Sequence, residues 1–396
     1  MNFKNVIIFF LFLPGLLHSQ SIHDSTKSKG ITIPSPEVQI ASNTKLNLLE
    51  SFKFSSVAGV QLGARVNYSF DFDKYSASSY LGYGFSDKRV KFLFDFGTQL
   101  LNDRSLQIQF SGYTHLNSPF MKRKWDHDLN NLLYAFGMKR ERYYYYYRTG
   151  FSLNVYKDII PELKVGFGYE NSTNKNAYVN SDLSVFNRNR VFADNPLIGE
   201  GTKRALNFSL QISKKDYPTL YFKTENSSKK LLGSTFDFSK YWVALSGQNK
   251  FSSFSDLKYQ IGYQKANGNL PFQELLYLYI FAGESQLQFS VPTYGEFYGD
   301  EVFYLNLENN FGKIFPENIP VLNEVNFSGI FNIGRTTLSA SLMNKYNFNN
   351  ANETEGFFME TGFMFSKILN FAKVYFAWRL NNFTPDDNFI LYFNFL

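Results

Sequence analysis

From about residue 56 onward the chain repeats one pattern. Segments of roughly ten to fifteen residues alternate apolar with polar side chains, and turn residues separate them. A period of two sends successive side chains to opposite faces, so each segment reads as a β-strand. In 57–70, Val60, Leu62, Ala64, Val66, Tyr68 and Phe70 face one way, and Gln61, Gly63, Arg65, Asn67 and Ser69 face the other. In 89–101, Val90, Phe92, Phe94 and Phe96 oppose Arg89, Lys91, Asp95 and Gln99. Segments 104–116, 162–172, 203–214 and 370–383 do the same.

Soluble sandwiches also alternate, but their strands are typically about five or six residues long. A strand tilted through a bilayer needs about 9–11. The polar faces carry Gly, Ser, Gln, Arg and Lys, as a wetted lumen would, and aromatics gather near segment ends as in interfacial girdles. The chain can supply such girdles, with 45 Phe, 27 Tyr and 3 Trp. Mean hydropathy of −0.27 argues against a bundle of membrane helices. The fold expected is all-β, a transmembrane antiparallel β-barrel of about 16 strands over 40–396. In its last strand Phe389, Leu391, Phe393 and Phe395 share one face at the chain's end.

Parity gives the topology. Sixteen segments are counted, the first over 40–53 and the last over 387–396. Starting upward from the periplasm, connections 117–140, 173–202, 226–234, 266–299 and 334–354 all fall on the outer side. Turns such as 71–74, 102–103, 157–161 and 215–216 fall on the inner side, as expected for outer-membrane barrels.

Residues 1–19 read as a cleavable signal peptide. Lys4 supplies the positive start, Val6–Leu13 an apolar stretch too short to span a bilayer, and Pro14 with Gly15 a break. Residues 20–39 are polar and aperiodic, so a flexible periplasmic tail is expected. With no Cys there is no disulfide scaffold and no thiolate metal site. The formal charge of +6 is spread without a basic run, so nucleic acid is not an expected partner. The partners expected are outer-membrane lipids and the barrel-assembly machinery during insertion.

No enzyme motif stands out, and no cofactor or metal site is expected. Ser111, His115 and Asp126 form an imaginable hydrolytic set, but a rim histidine beside a solvated loop accounts for them. Asp126, His127 and Asp128 are adjacent and chelate poorly. Gly82-Tyr-Gly84 and Gly166-Phe-Gly168 lie inside strands with no helix following, so glycine facing a crowded lumen explains them better than a phosphate cradle. The run Tyr143–Tyr147 reads as an interfacial girdle. Arg65, Lys91, Asp95, Arg148, Lys164 and Glu170 project from the polar faces as candidate lumen-lining charges. The cations among them would bias a pore toward anions, or else pair with the acids.

Several stretches resemble a family of uncharacterised Gram-negative outer-membrane proteins whose members usually carry a carboxypeptidase-regulatory-like domain ahead of a barrel. These are Asn47–Phe52 with Gly59–Gly63, Tyr80–Lys88, Leu232–Lys240, Gly268–Phe272, Glu296–Gly312, Ile319–Leu322 and Glu360–Gly362. That family is similar to the surface-antigen (BamA-like) superfamily of sixteen-stranded assembly and secretion barrels. The resemblance implies that 266–299 is the long sixth loop, which folds back into the lumen. The superfamily's Arg-Gly-aromatic motif does not occur between Gln264 and Asp300, and 20–46 is too short for POTRA-like domains. The function expected is a gated transport or assembly barrel with 266–299 as lumen plug. A passive porin is the main alternative, ahead of a rim hydrolase or a surface scaffold.

Overall fold

The computed structural model describes residues 31–34, 38–41, 44–70, 74–101, 105–118, 133–139, 141, 143–186, 189–252, 255–278, 289–292, 296–313, 324–342, 354, 356–368, 372–384 and 388–395, with side chains between Phe52 and Leu391. Two short strands, β1 (Ile31–Pro34) and β2 (Val38–Ala41), lie end to end along β3 (Thr44–Ser55). Then come β4 (Gly59–Phe70), β5 (Tyr75–Gly84), β6 (Arg89–Leu100) and β7 (Leu106–Asn117). They are followed by β8 (Tyr146–Ile160), β9 (Leu163–Asn176), β10 (Gly201–Ile212) and β11 (Thr219–Ser227). Next are β12 (Asp237–Ser252), β13 (Ser255–Asn269) and a two-residue pair, β14 (Leu276–Tyr277) with β15 (Tyr298–Gly299). The chain finishes with β16 (Glu301–Lys313), β17 (Asn326–Thr337), β18 (Phe358–Ile368), β19 (Ala372–Arg379) and β20 (Phe389–Phe395).

From β3 onward, and leaving aside the β14–β15 pair, each strand pairs antiparallel with the next. The wall is therefore one antiparallel meander of sixteen strands, from 7 residues in β20 to 16 in β12, as the periodicity predicts. Antiparallel order sends alternate connections to opposite ends. The long ones, 118–145, 177–200, 270–300 and 338–357, all share one end. Among the residues expected in a flexible tail, 31–34 and 38–39 are instead strand. Isoleucine and valine at alternate positions (Ile31, Ile33, Val38, Ile40) suit them to extend along the β3 edge. The expected signal peptide lies outside the described residues.

The two faces of the wall are inverted relative to a protein folded in water. Leu62, Leu81, Phe167 and Leu206 point outward and stay 50–62% exposed, whereas Gln260, Gln264, Glu360 and Arg379 point inward and are 0–2% exposed. Water-soluble proteins bury the first kind of side chain and expose the second. An apolar exterior around a polar interior is the arrangement of a barrel whose outside meets lipid. Among the described residues no helix is long and apolar enough to cross a membrane.

Inward glycines make room for aromatic rings in the lumen. A Cβ on Gly82 would lie 2.4 Å from Tyr80 Oη, and one on Gly262 would lie 2.2 Å from Tyr304 Cζ. Tyrosine rings thus lie across inward glycines of the adjoining wall. This is the crowded-lumen account of the Gly-x-Gly stretches, and Gly166 packs similarly against Tyr156 and Ser209.

Candidate functional site

Among the described residues, a cluster of buried charges stands near the end with the long connections. Inward residues of three consecutive strands face one another there: Lys203 on β10, Glu225 on β11 and Lys240 on β12. Glu274 joins them from the 270–300 connection. It ends a tight helical turn, Phe272–Glu274, which Pro271 opens in an extended conformation. Lys203 Nζ donates to Glu274 Oε1 at 3.0 Å, and Lys240 Nζ is ion-paired with Glu274 Oε2. Glu225 lies 2.8 Å from Lys203 and 3.7 Å from Lys240. Burial would raise the carboxyl pKa of Glu274, but the two ammonium groups outweigh it and hold the group below the usual carboxylate range.

The turn is fixed by its neighbours. The Gln273 amide donates to Gly199 O at 2.8 Å and accepts from Gly199 N at 3.0 Å, tying this connection to the 177–200 connection. Phe272, Leu275, Leu276, Tyr277 and Leu278 are all buried, in one cluster with the inward Phe238, Trp242 and Tyr304. Tyr143, Tyr145 and Tyr146 belong to that cluster too, at 2–6% exposure. The expected girdle over Tyr143–Tyr147 is therefore corrected. β8 starts only at Tyr146, so Tyr143, Tyr145 and Tyr146 turn into the barrel mouth and join the cluster of the 270–300 connection rather than facing lipid, while Tyr147 stays only partly buried at the rim.

The far end of the same connection is held on the opposite wall. Arg379 on β19 makes a two-pronged ion pair with Glu296, both contacts 2.6 Å, and its guanidinium stacks over Phe297 and Phe358. Glu360 on β18 accepts from the backbone N–H groups of Ser290 and Val291 at 2.9 Å and from Asn332 Nδ2 at 2.7 Å. Leu278 and Phe289 press against Gly334 of β17, where a Cβ would come within 2.3 Å of Leu278. Segments 270–278, 289–292 and 296–300 thus contact inward faces of both halves of the wall.

The six candidate lumen charges are spread through this interior. Arg148 and Glu170 meet in an ion pair, and Glu170 also accepts from Tyr113 Oη at 3.0 Å and lies 3.8 Å from Lys203. Lys91 is ion-paired with Asp87 at 2.8 Å, and Lys164 lies 3.9 Å from Asp158 at the end with short turns. Asp95 accepts from Ser111 Oγ at 2.5 Å, and Arg65 is buried on β4. Ser111 is thus engaged by Asp95. His115 Nε2 lies 3.4 Å from Asn117 Oδ1, and its ring meets Tyr113 edge-on. Asp126, His127 and Asp128 lie outside the described residues, and no group of three metal-ligating side chains occurs among the described ones.

Sequence reasoning missed Lys203, Glu225, Lys240, Glu274, Glu296, Glu360 and Arg379. Continuing the period-two parity of β10 from Leu206 and Phe208 would have turned Lys203 inward, and β19 gives the same answer for Arg379. The two loop acids carry no such periodic signal.

Residues 15–209 match the family described as "Family of unknown function (DUF5686) C-terminal domain". No curated protein matches the chain by sequence. Among solved structures, the chain is similar to BamA from Haemophilus ducreyi lacking POTRA domains 1–3, at 10% identity and a TM-score of 0.56, over 92% of this chain and 75% of that one. CdiB from Acinetobacter baumannii also matches, at 9% identity and a TM-score of 0.45, over 89% of this chain and 59% of that one. OccK10 (OpdN) from Pseudomonas aeruginosa gives 11% identity and 0.39, over 89% and 97%. The chain is thus similar over 15–209 to the C-terminal domain of this family of unknown function, and its sixteen-stranded wall has the fold of the BamA barrel.

Proposed function

We propose that this chain is an outer-membrane barrel with a gated transport or assembly role, closed at rest by the expected 266–299 segment from residue 270 onward, since 266–269 belong to the wall strand β13. The observation that carries the reading is Glu274, buried between the inward ammonium groups of Lys203 and Lys240. A loop that only crossed the mouth would leave its charged side chains in water. Burying an acid against two wall lysines has a large desolvation cost, offset here by close pairing on both carboxylate oxygens. The second anchor, Glu296 on Arg379, holds the other end of the segment to the far wall. Two ionic anchors joined by an apolar patch make a closure that can be released in steps.

A polar passage through the barrel is supported by the inward side chains of the wall. Among the described residues, Asn207 Oδ1 on β10 and Gln260 Oε1 on β13 are buried without a hydrogen-bond partner, so the inner wall keeps polar groups that opening would hydrate. Arg65, Lys91, Asp95, Arg148, Lys164 and Glu170 would line that passage. Lipids of the outer membrane and the barrel-assembly machinery remain the proposed partners, together with a transported solute or client protein. The test is conductance in planar bilayers for the full chain and for a 268–296 deletion. A full chain that is closed, with a deletion that conducts, agrees with gating. A large steady conductance from the full chain refutes it and leaves a passive porin.

A further inference from the structure

We infer that the barrel carries a binding site for a phosphorylated glycolipid of the surrounding leaflet, on its outer surface at the rim with the long connections. A cavity of about 280 Å³ opens there, lined by Arg89, Thr114, Tyr147, Thr149, Thr173 and Lys175, among others. Strand register builds it. Thr114 on β7 pairs with Thr149 on β8, which pairs with Thr173 on β9, and Thr202 on β10 continues the row. Thr114 and Thr149 share a hydroxyl hydrogen bond of 2.9 Å, and Thr173 and Thr202 share one of 3.2 Å.

The row stands at the edge of the apolar exterior. Two residues along β8 from Thr149 is Phe151, 39% exposed, and beside Thr114 on β6 is Phe92, 40% exposed. A lipid whose tails cover Phe92 and Phe151 has its headgroup level with the threonines. The headgroup then meets two exposed cations, Arg89 and Lys175. Among the described residues neither takes part in an ion pair. Asp87, the acid close by, is already engaged by Lys91 at 2.8 Å and by Tyr147 Oη at 2.8 Å, so it does not cancel them. The Arg89 guanidinium is held over the Tyr147 ring, 4.0 Å from its centroid, which orders it for binding. Hydroxyl donors, two free cations and an aromatic face suit a phosphate on a sugar. A neutral glycerolipid headgroup would leave both cations unanswered. The inference rests on the lipid-facing exterior alone and is independent of the closed lumen.

The test uses the full chain in nanodiscs of neutral phospholipid doped with lipid A as the probe, followed by native mass spectrometry of the extracted protein. The wild type is expected to retain lipid A and to release its dephosphorylated form. The R89A/K175A double variant should bind lipid A about thirtyfold more weakly, given roughly 1 kcal/mol per cation near an anionic surface. R204A, which alters a cation outside the cavity, should bind as the wild type. Equal retention of phosphorylated and dephosphorylated lipid A by the wild type overturns the inference without any variant. Unchanged binding in R89A/K175A overturns it as well, as does full displacement by inorganic phosphate, which would assign the cavity to a soluble anion.

Discussion

Replacing Glu274 by glutamine removes the charge that two buried lysines share while keeping size and hydrogen-bonding capacity. The cost falls unequally. Lys203 retains Glu225 at 2.8 Å, whereas Lys240 is left with Glu225 at 3.7 Å as its one acidic neighbour among the described residues. All four side chains concerned are less than 10% exposed, so solvent screens little. Breaking a buried pair typically costs about 3–5 kcal/mol, and the surviving Glu225 contacts put this case near 3. If that energy opposes displacement of the 270–300 connection, Glu274→Gln raises the open population roughly a hundredfold. A chain with no native cysteine allows a direct assay. Asn207→Cys places one thiol on the inward face of β10, below Lys203, and an impermeant maleimide is added from the long-connection side only. Labelling should be slow in the otherwise wild-type chain and fast with Glu274→Gln. Adding Lys240→Met, which removes the stranded charge, should slow it again. Equal labelling with and without Glu274→Gln would refute the argument that this ion pair holds the lumen closed.

Arg379→Lys keeps the charge but loses the fork that grips both oxygens of Glu296, so brief openings of intermediate conductance are expected in bilayer recordings, at a cost of about 1–2 kcal/mol. Acid should act late. The Glu274 pKa is depressed in the closed state, so its contribution is complete above the ordinary carboxylate range and is lost only as pH falls through the depressed value. Conductance measured from pH 8 downward should therefore stay low to about pH 4 and rise below it. Gly262→Val forces a side chain into the Tyr304 ring and should destabilise the barrel by about 1–3 kcal/mol, read as a lower unfolding temperature by gel mobility. Phe167→Arg puts a charge on the outer face at a site 62% exposed, and should cost about 2–4 kcal/mol in urea unfolding from vesicles if that residue sits near the bilayer centre.

The strands were legible because lipid outside and polar groups inside impose a two-residue period on every crossing. Most faces read for 57–70 and 89–101 are the faces observed: Leu62, Val66, Val90 and Phe92 are outward, and Gln61, Arg65 and Lys91 are inward and buried, whereas Arg89, read with the polar face, is exposed at the rim where β6 begins. The short edge strands β1 and β2 escaped because four residues are too few to establish a period. The tyrosine run misled because its alternation continues that of β8, although the chain is already turning inward before Tyr146. The candidate site was least legible at Glu274 and Glu296. Connections have no periodicity, and the partners of these acids lie some thirty to eighty residues away, on β10, β12 and β19.

The charge arrangement also bears on the Arg-Gly-aromatic motif that this connection lacks. That motif would present a loop cation to the wall. Here the signs are reversed, with acids on the connection and cations on the wall: Glu274 meets Lys203 and Lys240, and Glu296 meets Arg379. Coulomb attraction is symmetric in the two charges, so a segment can be held as firmly with the polarity exchanged. What changes is the state left after release. Displacing 270–300 would uncover Lys203, Lys240 and Arg379, and the wall acids Glu225 and Glu360 would offset them only in part. An opened mouth of this sign would favour anionic solutes or acidic segments of a client. Measured as reversal potential across a salt gradient, the 268–296 deletion should therefore be anion-selective. Lys203→Glu together with Lys240→Glu in that background should reverse the preference.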